Sequence, residues 1–348
     1  MPFAAAGNEI CLFVFTDKNI TRHVYDSAGN IKTSVQSKDG FTITYAAAVK
    51  DGFFAAGYER NGRNYKPRAR VLAADGVLRR ELPESNDYES ASFYTAAQKD
   101  ANTWLFAGNG VKNGYFGAAA YARLVRDEGS NLTAVKEWGG IDFPECRDIK
   151  SAVYSHIHDC WFVTGEKTEP FNGSYLARIN NDGTIQIIDS FEEKYFLKIL
   201  IDDNGGIYLA GEEQKSNETF AALVKYNADG KKIWQFLNQP PSHSCYYTAV
   251  FDDKESRIVL AGTLQAKDQY AAGGKPFIEA VGMADGSPVW REIFSDPEFD
   301  KTALASAVIP APDYGYVLAL SGGVGNDYKD KPPFKIARIN SQGKLKKY

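Results

Sequence analysis

The chain has 348 residues, of which 44% are hydrophobic and 24% charged, the balance of an ordinary globular protein. Its formal net charge is -4, so no basic excess is available to neutralise a phosphate backbone, and nucleic acid is excluded as an expected partner. No window is apolar over the roughly 18 residues that a membrane-spanning helix needs, and 20 Tyr with 21 Phe favour packing on pleated strands.

In chain order, the opening Pro2 to Gly7 has no basic start and no apolar run of signal-peptide length. An exported form is therefore expected to have lost its signal ahead of this numbering. Phe3-Ala4-Ala5-Ala6-Gly7 and Ile10-Cys11-Leu12-Phe13-Val14-Phe15 are alternative readings of one strand, and a turn follows at Ala28-Gly29. From there a unit recurs about every 50 residues, a period that belongs to repeat architectures.

The unit has two landmarks and a weaker third. The first is a strand ending in small residues and glycine: Phe53 to Gly57, Trp104 to Gly108, Trp161 to Gly165, Ile207 to Gly211, Ile258 to Gly262 and Val317 to Gly322. The second is a tight turn, at Ala28-Gly29, Asp75-Gly76, Glu128-Gly129, Asp182-Gly183, Asp229-Gly230, Asp285-Gly286 and Gln342-Gly343, where glycine supplies the positive φ of a hairpin. The third precedes the first landmark and is rich in small and apolar residues, as in Thr44 to Val49, Ser151 to Tyr154, Leu197 to Ile201 and Thr248 to Phe251. Short strands at this period, with no helical 3.6-residue pattern, predict an all-β chain. The expected fold is one β-propeller domain over residues 1–348, with about seven four-stranded blades and an incomplete or irregular first blade. The strands of a blade are lettered A to D in order.

The segments Gly206 to Gly211 and Ala222 to Trp234, echoed at Tyr175 to Gly183 and Lys335 to Gly343, resemble the SBBP-type β-propeller repeat of bacterial envelope and surface proteins. That resemblance implies an exported, periplasmic or cell-surface protein with no assigned chemistry. Asp229-Gly230-Lys231-Lys232-Ile233-Trp234 and Asp285-Gly286-Ser287-Pro288-Val289-Trp290 also bear a fainter likeness to quinoprotein-type repeats. Those enzymes carry the tryptophan in most blades, whereas here Trp138 supplies at best a third copy, so the three are read as packing between blades.

In an up-and-down blade the A–B and C–D turns share one end, and the B–C loops and D-to-A crossovers share the other. The first set is short. The second includes 58–66, 109–116, 166–174, 263–275 and 323–333, with crossovers at 83–90, 139–148, 238–244 and 295–301. Long loops on a rigid scaffold are where binding sites concentrate. These loops carry aromatics beside charges, and the candidate ligand-binding residues are Arg63, Tyr65, Tyr115, Phe116, Phe171, Tyr270 and Tyr328.

Signals for chemistry are weak. Cys11, Cys146, Cys160 and Cys245 form no CxxC pair and read as buried free thiols. His156-Ile157-His158-Asp159 alternates as ligands on a strand would, but sits at a turn and offers at most three groups, so no metal is expected. The acidic crossovers Glu81-Glu84-Asp87-Glu89, Asp142-Glu145-Asp148 and Asp296-Glu298-Asp300 read as solvated charge. No nucleophile elbow, P-loop or dinucleotide fingerprint occurs, and no cofactor or catalytic residue is expected. The leading expectation is a monomeric, non-enzymatic scaffold that binds a protein or glycan at its long-loop end. The alternative is a carbohydrate-active hydrolase or lyase with carboxylates at the mouth of a central channel.

Overall fold

The computed structural model describes residues 3–6, 9–16, 19–25, 31–37, 41–49, 52–73, 77–114, 117–169, 172–216, 218–227, 229–238, 243–265, 274–295, 304–311, 315–321 and 334–345. The chain is an all-β β-propeller built from four-stranded antiparallel sheets laid down in sequence order. They are β1–β4 (Phe3–Ala6, Glu9–Thr16, Asn19–Tyr25, Ile31–Ser37), β5–β8 (Phe41–Val49, Gly52–Asn61, Asn64–Leu72, Leu78–Glu81) and β9–β12 (Tyr88–Asp100, Thr103–Lys112, Ala119–Asp127, Leu132–Gly139). Then come β13–β16 (Ser151–Ser155, Cys160–Glu166, Ser174–Asn180, Ile185–Phe191), β17–β20 (Lys194–Ile201, Ile207–Lys215, Glu218–Tyr226, Lys232–Leu237) and β21–β24 (His243–Asp252, Arg257–Gln265, Lys275–Gly282, Pro288–Ile293). The last sheet, β25–β27 (Leu304–Ala311, Gly315–Ser321, Phe334–Asn340), has three strands. By packing, the molecule divides into two compact units, one holding β1–β16 and the other β17–β27.

This corrects the expected blade inventory. Instead of about seven four-stranded blades with a short first one, the described residues form six four-stranded blades and one three-stranded sheet, and the three-stranded sheet is the last. Phe3–Ala6 and Glu9–Thr16 are not alternatives but partners, paired from Phe3↔Leu12 to Ala6↔Glu9. A hairpin this tight leaves only residues 7 and 8 between its strands. At the other end Leu345 bridges Ile339 where a fourth strand would start.

Two devices build each unit. Strand B is a continuous apolar run and is buried along its length, as in Trp104 to Ala107 and Trp161 to Val163. Opposite its terminal glycine, strand A carries a β-bulge, with register shifts at Ile43/Tyr45, Tyr246/Thr248 and Phe196/Lys198. The bulge drives the strand A carbonyl against strand B. A Cβ on Gly57, Gly108, Gly165, Gly211 or Gly262 would lie 1.8–2.0 Å from the carbonyl oxygen of Thr42, Ser92, Asp148, Tyr195 or Cys245 respectively. The glycine landmark is therefore a steric consequence of this close backbone approach, which a strand A bulge produces at Gly57, Gly108, Gly211 and Gly262 and the crossover residue Asp148 at Gly165.

The second device joins neighbouring sheets. The C–D turn glycines Gly129, Gly183, Gly286 and Gly343 have φ of 83, 87, 74 and 79, a region that disfavours any Cβ. A strand D side chain of the preceding sheet contacts each, at the carbonyl or over the α-carbon. The Arg80 guanidinium donates to the Gly129 carbonyl at 2.9 Å, and Trp138 Nε1 donates to the Gly183 carbonyl at 2.9 Å. A Cβ on Gly286 would meet the Trp234 ring at 2.7 Å, and one on Gly343 the Trp290 ring at 2.3 Å. The tryptophans thus pack between blades, as their sequence positions suggested. Cys146, Cys160 and Cys245 are buried free thiols, and Cys160 faces Ser155 across its hairpin.

Candidate functional site

The A–B and C–D connections are short, for example 101–102, 156–159, 128–131 and 181–184, whereas the B–C and D-to-A ends combine two-residue links at 62–63, 192–193 and 216–217 with the longer 113–118, 167–173, 82–87 and 140–150. The segment 58–66, read from sequence as a loop, is instead a projecting hairpin. β6 and β7 pair out to Asn61↔Asn64, with only Gly62 and Arg63 between them. Gly62 has φ 64 at the first turn position, as a two-residue II′ turn requires.

In the unit holding β1–β16, hydrogen bonds stitch these connections into one surface. Tyr65 N donates to Ser90 Oγ at 2.9 Å, tying the hairpin to β9. Asn113 N donates to Asp87 O at 3.0 Å, Ala120 N to Cys146 O at 2.9 Å and Ile149 N to Gly108 O at 2.9 Å, so the crossovers 82–87 and 140–150 lie along the adjoining strands.

A strip of aromatic and charged groups lies on this surface. Tyr65 is 40% exposed, and its ring meets Tyr58 edge-on with centroids 5.1 Å apart. Tyr94 is the extra residue of the β9 bulge, skipped between Phe93↔Gly108 and Thr95↔Ala107. Lys150 Nζ sits 5.4 Å above its ring. Burial and then the nearby Asp148 charge push the Tyr94 hydroxyl up. Lys150 Nζ bridges Asp148 at 2.7 Å and Glu166 at 3.2 Å, and Arg147 reaches Glu166 at 3.5 Å.

Asp148 is buried, and both of its oxygens are committed, Oδ1 to Glu166 N at 3.0 Å and Oδ2 to Lys150. Burial outweighs the lysine and raises its carboxyl, while the two carboxylates raise Lys150 despite its own burial. A carboxylate with both oxygens committed holds position rather than transferring a proton. The set is a structural clamp beneath an aromatic surface.

Of the residues singled out by sequence, Arg63 sits exposed at the hairpin turn and Tyr65 beside it. Tyr115, Phe116, Phe171, Tyr270 and Tyr328 lie outside the described residues, as do Asp296, Glu298 and Asp300. Tyr58, Tyr94 and Lys150 escaped sequence reasoning, because bulges and an extended hairpin bring them together. The acidic crossover 81–89 is not merely solvated: Glu81 and Glu84 pair with Arg70, Arg68 and Lys66.

The turn end carries different chemistry. His156 packs on Tyr154 and His158 on Phe162. Asp159 accepts a hydrogen bond from the Tyr154 hydroxyl and pairs with Lys99 Nζ at 3.2 Å. The Tyr154 bond, then Asn181 and Lys99, hold the Asp159 carboxyl at about 2, below its usual 3.8. A depressed carboxylate stabilises the fold above its unfolded value, and that contribution is lost as pH falls from about 4 to about 2. The stability gap between wild type and Asp159→Asn, followed by urea unfolding, should be constant from pH 7 to about 5 and close by about 2. A gap that widens on acidification would contradict the pairing.

In the unit holding β17–β27, a cavity of about 390 Å³ opens at the turn end between Phe251, Asp252, Pro310 and Tyr316. Its polar floor is already satisfied. Arg257 Nη2 lies 2.8 Å from Asp252 and donates to the Ser341 carbonyl at 2.6 Å, and Tyr316 donates its hydroxyl proton to Asp252.

No family model and no curated sequence matches the chain. Among solved structures it is similar to the periplasmic gluconolactonase of Pseudomonas aeruginosa, 11% identical over 97% of this chain and 98% of that one, with a TM-score of 0.58. It is also similar to the quinohemoprotein alcohol dehydrogenase ADHIIG from Pseudomonas putida HK5, 11% identical over 99% and 67%, TM-score 0.55. A europium-containing methanol dehydrogenase matches at 11% over 93% and 73%, TM-score 0.55. At such identities the likeness shows the β-propeller fold alone. No described helix is long and apolar enough to cross a membrane.

Proposed function

We propose that the chain, acting as one β-propeller domain over residues 1–348, is a non-enzymatic, monomeric scaffold of the bacterial envelope or cell surface. This is the setting implied by the resemblance of its units to SBBP-type repeats, in the periplasm or outside the cell. It recognises a protein or glycan at the end carrying the B–C and D-to-A connections, through Arg63 and Tyr65; the sequence adds Tyr115, Phe116, Phe171, Tyr270 and Tyr328 as further candidates for contact.

The observation that carries this reading is the anchored pair Tyr58–Tyr65. Tyr65 is held by its own backbone bond to Ser90 and by the Tyr58 ring, yet leaves 40% of its surface to solvent. A rigid aromatic presented this way buries contact area at little entropic cost on binding. Fluorescent protein applied to glycan and peptide arrays should give discrete hits. Tyr58→Ala/Tyr65→Ala should weaken those hits about tenfold or more, the loss expected of a hot spot, with the far-UV spectrum and melting point nearly unchanged. Undiminished capture by a folded double variant would overturn the reading.

A further inference from the structure

Among the described residues, the β6–β7 hairpin extends past its pairing with β5. That pairing reaches Phe41↔Glu59, while β6 and β7 continue to Asn61↔Asn64. The base of the projection is an ion-pair network. Arg68 reaches Glu59 at 2.6 Å and Glu84 at 2.8 Å, and Lys66 reaches Glu84 at 2.6 Å. At the tip that pattern stops. Arg60 Nε donates to the Gly62 carbonyl at 3.2 Å, and neither Arg60 nor Arg63 has a carboxylate partner among the described residues. Two uncompensated guanidinium groups on a rigid finger stand out in a chain whose net charge is -4.

The neighbours of these cations specify more than charge. Arg60 faces Tyr65, whose ring leans on Tyr58, while the next pair, Asn61 and Asn64, projects to the opposite face of the hairpin. Guanidinium groups bind carboxylates in a planar fork, and a phenol ring stacks on the C–H face of a pyranose. A uronate carries its carboxylate on the same ring that stacks, so one sugar can meet Arg60 and Tyr65 together, whereas an acidic side chain offers the guanidinium group a carboxylate but has no flat C–H face to lay on the phenol ring. We infer that the hairpin tip, through Arg60, Arg63 and Tyr65, binds a uronate-bearing oligosaccharide. This inference rests on the reading of the same end as a recognition surface and names the ligand class for it.

The test is titration calorimetry with hexagalacturonate, hexamannuronate and fully methyl-esterified hexagalacturonate, with hexaglutamate as the peptide control. At about 0.05 M salt, where exposed charges are little screened, wild type should bind an acidic hexasaccharide at least about tenfold more tightly than the ester, and the advantage should shrink at about 0.5 M. Arg60→Gln/Arg63→Gln should abolish the advantage. Arg60→Lys/Arg63→Lys should retain part of it, since a point charge replaces the fork. Equal affinity for acid and ester would overturn the anionic ligand class and leave glycan recognition standing. Binding of hexaglutamate but of no hexasaccharide would overturn the glycan in favour of an acidic protein. Binding to neither uronate oligomer nor peptide, together with empty glycan and peptide arrays, would overturn both the inference and the reading beneath it.

Discussion

Gly211→Ala should destabilise the protein by about 3 kcal/mol or more, beyond the usual cost of overpacking a core. The backbone of Gly211 needs no unusual φ. The cost comes from position, since a Cβ there would lie 2.0 Å from the Tyr195 carbonyl oxygen and 2.8 Å from the Phe196 Cα, both backbone atoms. No rotamer change relieves such a contact. Relief requires unmaking the bulge that sets Phe196 opposite Gly211 and Lys198 opposite Ala210. Gly129→Ala is the control. It has φ 83 but open space around its would-be Cβ, so its cost should stay near about 1 kcal/mol. Urea unfolding of the two variants measures both values. Equal losses would show that the bulge yields readily and that the glycine landmark has another origin.

The second large effect concerns Glu279, which is 1% exposed in β23. Its Oε1 accepts Arg291 Nη2 at 2.7 Å and Nε at 3.0 Å, and its Oε2 accepts the Tyr246 hydroxyl at 2.6 Å and Asn238 Nδ2 at 3.2 Å. Arg291→Leu leaves that carboxylate buried with no countercharge, so a loss of about 3–5 kcal/mol is expected. Glu279→Leu/Arg291→Leu removes both charges and should recover most of it. A double variant as unstable as the single one would mean that packing of the two stems, not charge, dominates.

These two sites mark what was legible in the sequence. The glycine turns could be read because positive φ singles out glycine locally, and Gly183, Gly230, Gly286 and Gly343 all have it. The strand B glycines could be seen to recur, but their reason could not, because the bulge is fixed by pairing with a different strand. The hairpin 52–72 was half read. Beyond Glu59 both of its strands are polar on both faces, so the alternation that betrays a half-buried strand is missing and the segment imitates a loop. Arg63 and Tyr65 were reachable as exposed neighbours in sequence. Tyr58, Tyr94 and Lys150 were not, since two different sheets and a crossover bring them together. The first blade was misjudged for a related reason: Phe3–Ala6 is too short to declare itself a strand except through its partner.

The central claim is that recognition happens at the projecting hairpin and the crossovers stitched beside it. Hydrogen exchange with mass-spectrometric readout, run with and without a saturating array-selected ligand, tests it most directly. Protection should concentrate in peptides covering 58–66 and 144–152 and leave the turns 156–159 and 253–256 unchanged. Protection confined to those turns, with the hairpin exchanging as freely as before, would contradict it.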